Sequence, residues 1–126
     1  MTQSRQPRKQ RLALHEASTR VRRKRLAARL GPLYRDKDSE GNSKYPRSAA
    51  IRKGDMVLIV RGKFSGTEGK VESLNTKDST LTIEEITIDK ADKKKKARPI
   101  QSSNVVITKL DLSDPWRRKI LEERRP

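Results

Sequence analysis

The sequence predicts a mostly-β protein: one small β unit over residues 51–112, a basic N-terminal extension carrying a short helix, and a short C-terminal helix. Three observations predict it. The first is the placement of Leu, Ile, Val and Phe: residues 51–112 hold 18 of them in 62 positions, and the other 64 positions hold only 8. Only the middle can bury a core, because the flanks are too polar to offset the entropy of ordering them. The second is the stretch Ile51 to Val71, IRKGDMVLIVRGKFSGTEGKV. An apolar run from Met56 to Val60 enters a glycine-rich turn and returns to a strand at Val71, which reads as a β-hairpin. The third is charge. Lys and Arg number 32 against 16 acids, a net +16, and residues 1–30 alone carry ten cations against one acid. Residues 51–88 balance at six against six. A near-neutral core with basic flanks implies a polyanionic partner.

The elements follow in order. Residues 1–17 show little periodicity and read as an extended arm. Ser18 caps a short helix through about Leu30, with Val21, Leu26 and Leu30 as a thin apolar stripe. Gly31-Pro32 stops it. Residues 33–50, with Gly41-Asn42 and Pro46, read as a linker. Strands are expected at about Asp55 to Arg61, Thr67 to Leu74, Thr80 to Ile88 and Asn104 to Leu110, with Ile51 or Ile100 supplying a short fifth. Alternation slips in the third: Leu81 and Ile83 share one face, Ile86 and Ile88 the other. A bulge near Glu84-Glu85 would repair it. Asp89 to Pro99 reads as a charged loop. Asp114 caps the last helix and Pro115 is its first residue. Trp116 and Ile120, four apart, form its expected apolar face against the β unit. The expected division is 1–50, 51–112 and 113–126.

Composition excludes several chemistries. There is no Cys, hence no disulfide and no thiolate metal site. His15 is the only histidine, without companions for a metal site or for acid–base work, and reads as a polar contact within the arm. No nucleophile motif, metal-binding carboxylate motif or phosphate loop is present, so neither enzymatic activity nor a cofactor is expected. No apolar stretch approaches the roughly 20 residues of a membrane span. The Arg-rich, acid-poor N-terminus has the composition of a mitochondrial presequence.

The hairpin 51–71 resembles the KOW motif of some ribosomal proteins and transcription elongation factors. With its flanks the chain is more specific. SRQPRKQR at 4–11, VRRKRLAARL at 21–30, the hairpin, NVVITKLDLSD at 104–114 and RRKILEER at 117–124 resemble one family of large-subunit ribosomal proteins. That family is numbered twenty-four in the bacterial series and twenty-six in the eukaryotic, and the form is archaeal–eukaryotic. The resemblance covers the N-terminus as part of the mature protein. It implies an SH3-like five-stranded barrel, binding to large-subunit ribosomal RNA early in assembly, and a place near the nascent-chain tunnel exit. Neighbouring ribosomal proteins and factors docking at the exit are the further partners implied, in the cytoplasmic large subunit. The chain departs from the family at Gln101-Ser102-Ser103-Asn104 and in the acidic, Gly-containing stretch 36–46.

The residues expected to meet RNA fall into three groups. Arg5, Arg8, Lys9, Arg11, Arg20, Arg22, Arg23, Lys24, Arg25 and Arg29 form the arm, whose guanidinium forks suit phosphate and base stacking. Arg52, Lys53, Arg61 and Lys63 flank the first strand and its turn, reading as a phosphate-binding edge. Lys93, Lys94, Lys95 and Lys96 fit either a solvated hairpin tip or a second phosphate contact. Gly54, Gly62, Gly66 and Gly69 read as turn formers, and also as points where backbone approaches RNA. Phe64 fits either base stacking or packing on the rim. The alternative to a ribosomal role is a KOW-type elongation or other RNA-binding factor.

Overall fold

The computed structural model describes residues 3–34 and 45–124. Their elements, in order, are α1 (Pro7–Glu16), α2 (Thr19–Arg25), β1 (Ala27–Leu30), β2 (Ser48–Ala50), β3 (Met56–Ile59), β4 (Glu68–Asn75), β5 (Thr80–Ile83), β6 (Thr87–Asp89), β7 (Lys95–Ala97), β8 (Ile100–Gln101), β9 (Val105–Lys109) and α3 (Pro115–Glu123). The protein is mostly β, as expected. Seven strands share one sheet in the order β2-β1-β9-β3-β4-β5-β8, and β6 pairs with β7 alone. Among the described residues the pairing between β2 and β8 does not close into a ring.

The strands follow from alternation. In β3 and β5 every second side chain points inward, burying Val57, Ile59, Leu81 and Ile83; β9 does the same with Val105 and Ile107. That is the period of a half-buried strand. Each such burial contributes about 1.5–3 kcal/mol, so packing fixes the register.

Four expectations are corrected. Ala27–Leu30 is a strand, not the end of a helix: it runs parallel to β9 (Arg29 opposite Val106, Leu30 opposite Ile107) and antiparallel to β2. Leu26 and Leu30 are buried, but at a strand's spacing. The sheet therefore draws two strands from residues 1–50, where an extension and linker were expected. Second, Pro7–Glu16 is helical, not extended, with Pro7 opening its first turn and none of its residues buried. The Arg22 guanidinium donates to the His15 carbonyl and ties α2 to the end of α1. Third, no strand runs through Ile88 from Thr80. A turn at Glu84-Glu85, with φ of 67° at Glu85, ends β5 and lets Ile86 face inward beside Ile83. The register shift sits across from it, between Val71 and Ser73 of β4. Most of the unusual stretch 36–46, and of the expected linker, lies outside the described residues.

The fourth correction concerns α3. Asp114 is its N-cap, accepting from the Trp116 backbone N–H at 3.0 Å, with Pro115 in the first turn. The face is not the expected one. Trp116 is 70% and Ile120 44% exposed, whereas Arg117 and Leu121 are buried. Arg117 forms a two-pronged ion pair with Asp55 (Nη1 to Oδ1 2.5 Å, Nη2 to Oδ2 2.6 Å). It also donates to the carbonyls of Asp111 and Ala50. Asp55 accepts in addition from the backbone N–H groups of Arg52 and Asp111. One buried cluster thus joins the segment before β3, the end of β9 and the last helix. Buried charges persist only when paired and hydrogen-bonded, and here both are.

The Arg52 guanidinium beside Asp114 is the main reason its carboxyl lies below the usual carboxylate range, with the Trp116 N–H adding to the effect. A depressed folded pKa supports the fold above the ordinary Asp value of about 3.9, and that support is lost as pH falls through the lower, folded value. Helix α3 is therefore expected to keep its cap at neutral pH and to lose it only at strongly acid pH. Trp116, the sole tryptophan, reports this by fluorescence. A transition centred above the ordinary Asp range, or its survival in Asp114→Ala, would contradict the cap.

Candidate nucleic-acid interface

Cations of the arm lie on two short helices. Arg8, Lys9 and Arg11 are exposed on α1, with Arg5 just ahead of it. On α2, Arg20, Arg23 and Lys24 are exposed at spacings of three and four, hence on one face. Arg22 and Arg25 are half-buried, and Arg29 projects outward from β1. Among the described residues the ion pairs are Arg52–Asp114, Arg117–Asp55 and Lys119–Glu123. Among the described residues, then, no carboxylate forms an ion pair with the arm's cations.

The expected edge around β3 is divided. Arg52 and Lys53 precede the strand and Arg61 and Lys63 follow it, so the two pairs stand at opposite ends. Arg52 is already engaged: its Nη1 lies 2.7 Å from Asp114 Oδ2. Arg61 and Lys63 sit on the β3–β4 loop, closed by Gly66 N–H donating to Ile59 carbonyl at 2.7 Å. Phe64 in that loop is half-buried and packs against the core.

Arg61, Lys63 and Phe64 line one wall of a groove of about 550 Å³; Ile88 of β6 and Arg98 form the other. Arg98 is a candidate site residue that the sequence alone did not single out. Lys93 and Lys94 occupy the β6–β7 turn, with φ of 62° at Lys93, while Lys95 and Lys96 lie on β7. Lys96 stands directly opposite Ile88. Cross-strand partners share a face, so Lys96 and Ile88 project from the same face of that hairpin.

The four glycines divide by role. Gly62 has φ of +99° with open space around it, and Gly54 and Gly66 are also left-handed. Gly69 is not in a turn. It lies inside β4, where an added Cβ would come within 2.5 Å of Ile83 Cγ2. Gly62→Val is expected to cost about 1–3 kcal/mol through backbone strain alone. A thermal midpoint measured without RNA checks this; an unchanged midpoint would remove the conformational requirement.

Exposed basic helices, a lysine hairpin and a cation-lined groove thus accompany a small β-sheet. Residues 4–124 match the model of one ribosomal protein family, described as the eukaryotic L26 proteins and their archaeal counterparts of number twenty-four. The chain is 42% identical over 124 residues to the large ribosomal subunit protein uL24 of Methanocella arvoryzae, covering 98% of this chain and 95% of that one. It is 44% identical over 116 residues to the protein of the same name from Methanosarcina barkeri, covering 90% and 93%. The chain belongs to this ribosomal protein family, and its role is structural rather than enzymatic.

Proposed function

We propose that this protein binds large-subunit ribosomal RNA as a structural component of the cytoplasmic large ribosomal subunit. It joins early in assembly and sits near the nascent-chain tunnel exit, beside neighbouring ribosomal proteins and within reach of factors that dock there. The single observation carrying this reading is the family match over residues 4–124. The elongation-factor alternative drew on the hairpin 51–71 alone. The cations of α1 and α2, which form no ion pair among the described residues, support the RNA reading, since phosphate neutralisation supplies most of nonspecific affinity. In this reading α1, which buries nothing, is held in place by RNA, because an isolated ten-residue helix is marginal in water. The antiparallel order β9-β3-β4-β5-β8 supports an SH3-like arrangement of KOW type for residues 51–112. Sedimentation of the tagged chain in cell extract tests the proposal. Co-migration with large subunits and their precursors is expected; migration with RNA polymerase, or free at the top of the gradient, would overturn it.

A further inference from the structure

We propose that the groove between the β3–β4 loop and the β6–β7 hairpin holds a single unpaired RNA nucleotide, its base against Phe64 and Ile88 and its phosphates on Arg61, Lys63 and Arg98. This rests on the RNA-binding reading above and gives it a specific target. At about 550 Å³ the groove is within the usual size of small-ligand pockets. Its chemistry is mixed in the way a nucleotide requires. Phe64 and Ile88 are apolar, and Ile88 is 38% exposed. Gln101 and Asn104 bring side-chain amides to the same lining, able to donate to and accept from a base edge. Three cations face one acid, Asp89, and none of the three forms an ion pair among the described residues.

A duplex cannot use this site. Stacked bases expose only their edges, so a paired base cannot lay its face on Phe64 or Ile88. A base released from its stack can lie on an aromatic face, as single-stranded RNA readers allow. The loop wall is fixed for the purpose: Ser65 Oγ donates to Val60 carbonyl at 3.1 Å, and Thr67 N–H donates to Phe64 carbonyl at 3.1 Å. The ring is thus held on a closed loop rather than on a free one.

The test uses the full chain and two RNA probes, a twelve-pair duplex and the same duplex with one bulged 2-aminopurine. The bulged RNA is expected to bind about tenfold tighter, in line with one base–aromatic stack, with a change in 2-aminopurine fluorescence. Phe64→Leu keeps an apolar side chain on the rim but removes the ring, and should erase that preference, bringing affinity for the bulged RNA down to that for the duplex. Arg98→Gln alters a side chain on the groove wall and should weaken bulge binding more than duplex binding. Equal binding of the two RNAs by the natural chain overturns the inference but leaves the RNA-binding reading standing. Binding of neither overturns both. A bulge preference that survives Phe64→Leu and Arg98→Gln assigns the groove to something else, a segment of a neighbouring protein included, and overturns the proposal.

Discussion

Arg117→Met lowers the unfolding free energy by about 3–5 kcal/mol, the usual cost of breaking a buried ion pair from one side. The reason lies in what stays behind. Asp55 is fully buried, and without Arg117 it keeps only two backbone N–H donors, from Arg52 and Asp111. The Ala50 and Asp111 carbonyls lose a donor each. Small domains have about 5–15 kcal/mol in total, so this one substitution removes a large share. Denaturant unfolding in the absence of RNA measures it. Adding Asp55→Asn to Arg117→Met removes the stranded charge, so the double variant should lose less than the two singles combined. A loss under about 1 kcal/mol for Arg117→Met would mean that the pair does not lock α3 to the sheet.

Salt dependence is the second large effect. Truncating the whole arm at residue 30 would remove β1, which lies between β2 and β9, and would test the fold instead of the charge. Replacement by Gln of Arg5, Arg8, Lys9, Arg11, Arg20, Arg23 and Lys24 spares the core, since all seven are exposed. If about half of them meet phosphates, the slope of log affinity against log salt should fall by about 2–3 units. Titration of large-subunit RNA fragments over a range of salt gives the slope. Footprinting should show the same RNA region protected, because the loop and hairpin that shape the groove are unchanged. An unaltered slope refutes the electrostatic role of α1 and α2; a footprint that wanders places specificity in the arm.

How much was legible in the sequence depends on whether a signal was local. β3, β4 and β9 announced themselves by apolar runs and glycine turns, and Asp114-Pro115 marked the start of α3. β1 did not: Ala27-Ala28-Arg29-Leu30 continues an Arg-rich helix by propensity, and only pairing with β9, far along the chain, makes it a strand. The inward face of α3 was misread because Trp116 and Ile120 repeat at four, as do Arg117 and Leu121. Hydrophobicity favoured the first pair; the buried carboxylate favoured the second. The overlooked signal was Asp55, an acid at the mouth of an apolar strand, which needs a cation once buried. Pro7 marked the start of α1, but without an apolar face the helix had no second sign. The groove was illegible because Arg61, Lys63, Ile88 and Arg98 come from two hairpins that only the folded sheet brings together.

The pairing of Leu30 with Ile107, and of Asp55 with Arg117, carries a consequence for biosynthesis. Both tie segments to residues made much later, so the sheet and its last helix cannot be finished until Ile107 and Arg117 have been synthesised. Non-local closure of this kind slows folding. In the interval the newborn polypeptide presents its cationic helices with an unfinished apolar sheet, a combination that invites promiscuous adhesion to any nearby nucleic acid. Ribosomes stalled before Val105 are expected to carry chains with unprotected amides, a state that pulse-labelled exchange would register. A carrier or a prompt encounter with its own RNA shortens that exposure, and the architecture thus makes timely escort part of the molecule's requirements.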